Sequence, residues 1–212
     1  MAVEHGAFVA GRGPARHLRG GAFRCGWRGA FLRCSALVST KKRIALISTG
    51  GTIEKTYDEL HGVLDNRASV LDVVLATLQL HGVEIVRVPL MNKDSLDMSA
   101  QDHDLIARTV GSMAEGHDGV VIVHGTDRLA VTGDRICALL GTVRVPVVLT
   151  GAMRPYVMRN TDALQNLTEA LLAVQVMAPG VYVAMHNQVL QFPGVQKDKD
   201  RGTFTKPGGA AR

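Results

Sequence analysis

Apolar residues along this chain fall into two kinds of run, and the two kinds alternate. Short continuous runs stand at Ile44-Ala45-Leu46-Ile47, Val83 to Val88, Gly119 to Val123, Val145 to Leu149 and Gly180 to Met185. Between them the spacing becomes helical. Ala68 to Leu80 sets Val70, Val74 and Leu78 beside Leu71 and Leu75, and Thr161 to Val176 repeats the pattern through Leu164, Leu167, Leu171 and Val174. Ser99 to Glu115 and Leu129 to Leu140 supply two more helical stretches. Ser99 with Asp102 three residues on predicts a capping box. Uninterrupted apolar strands alternating with helices predict βαβ units and strands buried on both faces. The expected fold is α/β, an open parallel sheet flanked by helices on both faces.

In such sheets ligands bind outside the carboxyl ends of the strands, where the strand order switches. The segments at those ends are Thr49-Gly50-Gly51-Thr52, Asn92-Lys93-Asp94-Ser95, His124-Gly125-Thr126-Asp127, Thr150-Gly151-Ala152-Met153-Arg154-Pro155 and a last loop holding Lys197. The opposite connections carry no comparable load of Gly, Thr, Ser and Asp. The diglycine before Thr52 permits close backbone approach and positive φ. A phosphate loop of the Gly-x4-Gly-Lys-Ser/Thr type is absent, as is Gly-x-Gly-x-x-Gly at the first turn. A threonine hydroxyl needs help losing its proton before it can act as a nucleophile. Thr126-Asp127 is a hydroxyl–carboxylate pair, and Lys197 is a cation that could reach both. Each feature also fits a quieter role. Gly-Gly-Thr suits a tight turn, Thr126-Asp127 a helix cap ahead of Leu129, and Lys197 a solvated cluster with Asp198, Lys199 and Asp200.

Composition narrows the field. At 212 residues the chain fits one domain, or one domain with an appendage. Aromatic residues are only 4%, so the core must be aliphatic. No window is apolar over the ~18 residues that a membrane span needs, which predicts a soluble protein with no membrane partner. The net charge of +5 is misleading, because residues 1–43 hold nine bases against the single acid Glu4. A nucleic-acid footprint should lie on the folded body, so no nucleic acid is expected. Residues 1–40 are read as a basic Gly/Arg-rich extension, disordered or produced by a misplaced start with translation beginning near Val38, and 41–212 as the catalytic domain. Cys25, Cys34 and Cys137 lack metal-ligand spacing. They predict no metal site and a reducing, cytoplasmic setting.

Taken together, five segments resemble the bacterial-type asparaginase family, in order across residues 43–206. They are Ser48-Thr49-Gly50-Gly51-Thr52-Ile53, Asp94-Ser95-Leu96-Asp97-Met98, Val123-His124-Gly125-Thr126-Asp127, Gly151-Ala152-Met153-Arg154-Pro155, and Val189-Leu190 with Lys197 and Phe204. The resemblance implies an asparaginase N-terminal-domain-like fold with Thr52 as nucleophile. It implies Thr126, Asp127 and Lys197 as the proton-handling group. Tyr57, in a segment 56–66 that aligns loosely with the family's mobile loop, would polarise or deprotonate Thr52. Gly51, Asp94, Ser95, Thr126 and Asp127 would bind substrate, Ser95 taking its carboxylate and Asp127 its ammonium. The implied reaction converts L-asparagine to L-aspartate and ammonia through an acyl-enzyme, without a cofactor, in a homo-oligomer (dimer or tetramer).

Two departures stand out. The chain stops at Arg212, as in the short single-domain branch that the sequence resembles, without the C-terminal domain of two-domain relatives. Leu96 occupies the place of a glutamine that usually follows the serine, which removes an amide contact to substrate. Both keep open a related amidohydrolase acting on L-glutamine or a larger amide, including a subunit feeding ammonia to a transamidase. A non-catalytic amino-acid-binding module on the same fold is the third reading.

Overall fold

In the computed structural model, which describes residues 41–66 and 69–207, the apolar run at 44–47 is wholly buried. The extension expected at 1–40, with Cys25 and Cys34, lies outside the described residues, as does Ala68. In chain order the elements are β1 (Lys42–Gly50), β2 (Thr56–Asp58), β3 (Val63–Asp65), α1 (Leu71–Ala76), β4 (Val83–Lys93), α2 (Ala100–Gly116) and β5 (Gly119–Val123). There follow α3 (Leu129–Leu140), β6 (Pro146–Thr150), α4 (Ala163–Val176), β7 (Gly180–Met185), β8 (Gln188–Gln191), β9 (Gln196–Asp198) and β10 (Thr203–Thr205).

Alternate residues of β1 serve opposite cores, which is why the run is continuous. Ala45 and Ile47 pack with Ile106, Ala107 and Val110 of α2 and with Leu129 and Ile136 of α3. Ile44 and Leu46 pack with Leu71 and Val74 of α1 and with Leu167, Leu171 and Val174 of α4. The six-stranded sheet runs β4-β1-β5-β6-β7-β8. Its first five strands are parallel, as expected. From β1 the chain passes to β4 on one side, and from β5 it passes to β6 on the other. The crevice of the sheet therefore opens between the carboxyl ends of β1 and β5.

The sixth strand makes the sheet mixed. β8 pairs antiparallel with β7, Met185 opposite Gln188. The two residues between them, His186 and Asn187, have φ of 53° and 59°. Positive φ at both central positions is the type I′ turn, whose twist suits a two-residue hairpin. The other difference is α1, which spans Leu71–Ala76 where the spacing predicted a helix across 68–80. Thr77 Oγ1 bonds back to the Val74 carbonyl (2.6 Å), and the Thr77 and Leu78 amides reach Val74 and Leu75 in i→i−3 bonds. This tight last turn ends the helix, while Leu78 and Leu80 still pack against the core. No helix among the described residues is long and apolar enough to cross a membrane.

The capping box on α2 is present. Ser99 Oγ accepts from the Asp102 amide (3.3 Å), and Asp102 Oδ2 accepts from the Ser99 amide (2.8 Å). Lys93 Nζ adds a contact at 2.8 Å and, with the Ser99 bonds, holds the Asp102 carboxyl down to about 2. Ser99→Ala is expected to cost about 1 kcal/mol in urea denaturation. An unchanged midpoint would show that the cap contributes nothing to stability.

Candidate active site

Three loops meet at the crevice because three residues there are small. Gly50 and Gly51, at the end of β1, have φ of 93° and 82°. A Cβ on Gly50 would lie 2.5 Å from the Lys93 amide nitrogen, and one on Gly51 would overlap the Cα and nitrogen of Gly125. A Cβ on Gly125 would in turn lie 2.6 Å from both Cβ and Oγ of Ser95. Gly51, Gly125 and Ser95 thus stack in contact. Thr52 opens the 3₁₀ turn Thr52–Glu54 directly after this stack and is half-buried.

Glu54, which sequence patterning did not single out, braces the turn from beneath. It is 1% exposed, and its Oε2 accepts from the Gly50 amide (3.0 Å). Burial pushes its carboxyl above the usual range, against the hydrogen bonds from Ser69 and Gly50 and the nearby Arg87. Asp94 ties the second loop to the first. Its Oδ2 meets Lys55 Nζ at 2.7 Å and its Oδ1 accepts from the Leu96 amide (3.0 Å), and Lys55 draws its carboxyl below the usual range. Ser95 is 1% exposed, and its Oγ is buried without a hydrogen-bond partner among the described residues. A buried hydroxyl without a partner suits an incoming polar group.

Thr126 and Asp127 are not spent on capping. The N-cap of α3 is Arg128, and no side chain caps that terminus. Lys197 Nζ instead donates to Thr126 Oγ1 and to Asp127 Oδ1, both at 2.8 Å. Nor is Lys197 a solvated charge, since its side chain is 16% exposed. It lies on β9 opposite Phe204 of β10, and Phe204 and Val195 anchor the hairpin in the core that holds α3. The expected loop is therefore a fastened hairpin. Tyr57 stands on a different one. It pairs with Leu64 across β2 and β3 and is 61% exposed.

Below the Thr126 loop lies a polar group that spacing did not reveal. His124 Nδ1 is 2.8 Å from the Gly125 carbonyl oxygen, and its Nε2 is 2.8 Å from Thr132 Oγ1. Thr132 Oγ1 is also 2.7 Å from His103 Nδ1, and the two rings stack with centroids 6.3 Å apart. Burial lowers His124 to about 4. A second clamp holds the Gly151–Pro155 segment. Asp162 accepts from the Met153 and Arg154 amides and from Asn166 Nδ2, and meets His186 Nε2 at 2.8 Å. A cavity of about 460 Å³ beside it is lined by Arg154, Asp162, His186, Arg201 and Thr203, among others. None of Thr52, Ser95, Thr126 or Lys197 lines that cavity, so volume alone does not mark the crevice. No group of three or more His, Cys, Asp or Glu among the described residues could hold a metal ion.

The neutral His124 makes stability depend on pH. The unfolded ring takes up a proton below about 6.5, while the folded ring resists to about 4. Stability is therefore lost as pH falls through that window, by up to about 3 kcal/mol. Glu54, with its raised pKa, opposes part of this loss. Urea midpoints taken at pH 7, 5.5 and 4.5 should fall, and His124→Asn should flatten the slope. A flat wild-type profile would contradict the buried neutral ring.

A family model described as Asparaginase, N-terminal, matches residues 43–208. The L-asparaginase of Thermococcus kodakarensis is 32% identical over 155 residues, covering 73% of this chain and 47% of that protein. A glutamyl-tRNA(Gln) amidotransferase component of Methanobrevibacter smithii is 32% identical over 152 residues, covering 71% of this chain and 35% of its own length. Among solved structures, the probable cytoplasmic L-asparaginase of Campylobacter jejuni aligns with a TM-score of 0.68 at 32% identity, covering 80% of this chain and 54% of that one. The chain spans about half the length of the asparaginases it matches, and a third of the amidotransferase component. Sheet order, strand-end loops and matched span agree: the chain belongs to the asparaginase family.

Proposed function

We propose that this protein is a bacterial-type L-asparaginase that hydrolyses the side-chain amide of L-asparagine through Thr52. The observation that carries the reading is Lys197 Nζ held between Thr126 Oγ1 and Asp127 Oδ1, in a loop whose Gly125 touches Gly51, the neighbour of Thr52. Thr52 Oγ1 attacks the amide carbon, the C–N bond breaks, and ammonia leaves with the proton taken from the threonine. Water then attacks the resulting ester, releasing L-aspartate and restoring the Thr52 hydroxyl. Thr126, oriented by Lys197 and Asp127, positions that water or passes its proton. Backbone amides of the glycine-rich loops stabilise the oxyanion. Ser95 Oγ takes the substrate carboxylate and Asp127 its ammonium, with Gly51 and Asp94 framing the pocket. Tyr57 joins Thr52 when the β2–β3 hairpin folds over the crevice on substrate binding. No cofactor enters these steps.

One observation favours a second substrate. Leu96, 59% exposed, removes the amide contact expected beside Ser95, and one relative belongs to an amidotransferase. L-Glutamine is the substrate in that case. A cytoplasmic homo-oligomer, dimer or tetramer, belongs to the same proposal. Its supports are the description of the Campylobacter protein and the exposed Leu172, Val176 and Val189, which line one groove.

Ammonia release from L-asparagine and L-glutamine tests the proposal. Asparagine is expected to be the better substrate by kcat/KM. Thr52→Ala should lower turnover by roughly 10³-fold or more, with the melting temperature preserved. Near-normal turnover in Thr52→Ala would remove Thr52 as nucleophile, and an unaffected Lys197→Met would remove Lys197 from the relay.

A further inference from the structure

The buried file beneath the Thr126 loop has a direction, which follows from its donors and acceptors. The Gly125 carbonyl can only accept, so His124 Nδ1 carries a proton. The neutral ring then offers a lone pair at Nε2, and the Thr132 hydroxyl donates its one proton there. The Arg128 carbonyl, 3.4 Å from Thr132 Oγ1, is too distant to compete. Thr132 must therefore accept from His103 Nδ1. His103 Nε2 ends the file, buried and without a partner among the described residues. His124 and Thr132 are fully buried, and His103 is 4% exposed. The charges acting on His103 are those of Arg128, Asp102 and Asp104, and His103 itself acts on His124.

We propose that His124, Thr132 and His103 are positioning residues that fix the Gly125–Thr126 peptide plane. Glycine leaves that plane free to turn. In a planar trans peptide the C=O and N–H point in opposite directions. Holding the Gly125 oxygen on the buried ring turns the Thr126 amide away from the core, towards the crevice. Thr126 Cα, which carries the side chain whose hydroxyl meets Lys197, lies in the same fixed plane. His103 comes from α2, Thr132 from α3 and His124 from the end of β5, so the file also sets where two helices stand relative to the loop. Its effect on rate rests on the proposed amide hydrolysis; its proton order does not.

Two measurements on the full chain test this. Imidazole ¹⁵N shifts should show both His124 and His103 as neutral Nδ1–H tautomers at pH 7, with both signals moving in Thr132→Val. Thr132→Val should also lower kcat for ammonia release by roughly 10- to 100-fold, as a misplaced catalytic group does, with KM within about twofold. Thr132→Ser should restore kcat. His124→Asn, whose amide can replace the Nδ1 donor, should retain more activity than His124→Gln. An Nε2–H tautomer at either ring overturns the order of the file. Wild-type kcat in both Thr132→Val and His124→Gln, or a loss that Thr132→Ser does not restore, overturns the positioning role. A wild-type chain that releases no ammonia from either amino acid sinks the proposed function, while the tautomers still decide the file.

Discussion

The contact between Gly51 and Gly125 is the constraint on which the crevice depends. β1 and β5 run parallel and in register up to Ser48 opposite Val123, so their ends arrive flush. Two backbones can then meet only if neither carries a Cβ. Ser95 presses on the far side of Gly125, and the Gly50 backbone approaches Lys93. The backbone of Thr52 is placed by this stack, because the turn that begins with it starts where the stack ends. The diglycine is thus less a flexible spacer than a packing requirement, and the positive φ values are its backbone expression.

Around that contact the polar groups divide by depth. Beneath the loops sit hydroxyls, the His124 ring, which burial keeps neutral, and the Glu54 carboxyl, which burial pushes above its usual range. At the rim sit ion pairs that cross between loops, Lys55 with Asp94 and Lys197 with Asp127. The arrangement fits the cost of burial, which is tolerable for satisfied neutral groups and severe for charges. Asp162 lies between these extremes, partly buried but met by two amides, Asn166 and His186.

The strands and long helices were legible because burial on two faces writes itself into unbroken apolar runs. α3 spans Leu129–Leu140 and β5 Gly119–Val123, as the spacing predicted. The strand-end residue types were equally legible, since Thr126, Asp127 and Lys197 carry chemistry whatever their surroundings. Their mutual distances were not, and neither was the hairpin that fastens Lys197, because Phe204 is one aromatic in a polar stretch. His103 and Thr132 were invisible for a sharper reason. Each sits on an ordinary amphipathic helix, and only tertiary packing brings them together across 29 residues. The His186–Asn187 turn lacks the Asn-Gly signature that announces a type I′ hairpin. Leu75, Leu78 and Leu80 prolonged a helical spacing that Thr77 cuts short.

Lys197 lies 71 residues beyond Thr126 and reaches it from a hairpin fastened by Phe204. Chains emerge from synthesis with the amino-terminal part first. Thr126 and Asp127 are therefore made, and β5 can pair with β1, before the lysine that bonds to both exists. The cluster closes only when Val195 and Phe204 dock in the core that holds α3. The contact thus reports on completion of the fold: the Thr126 hydroxyl and the Asp127 carboxylate meet their cation only once the carboxyl-terminal hairpin is docked.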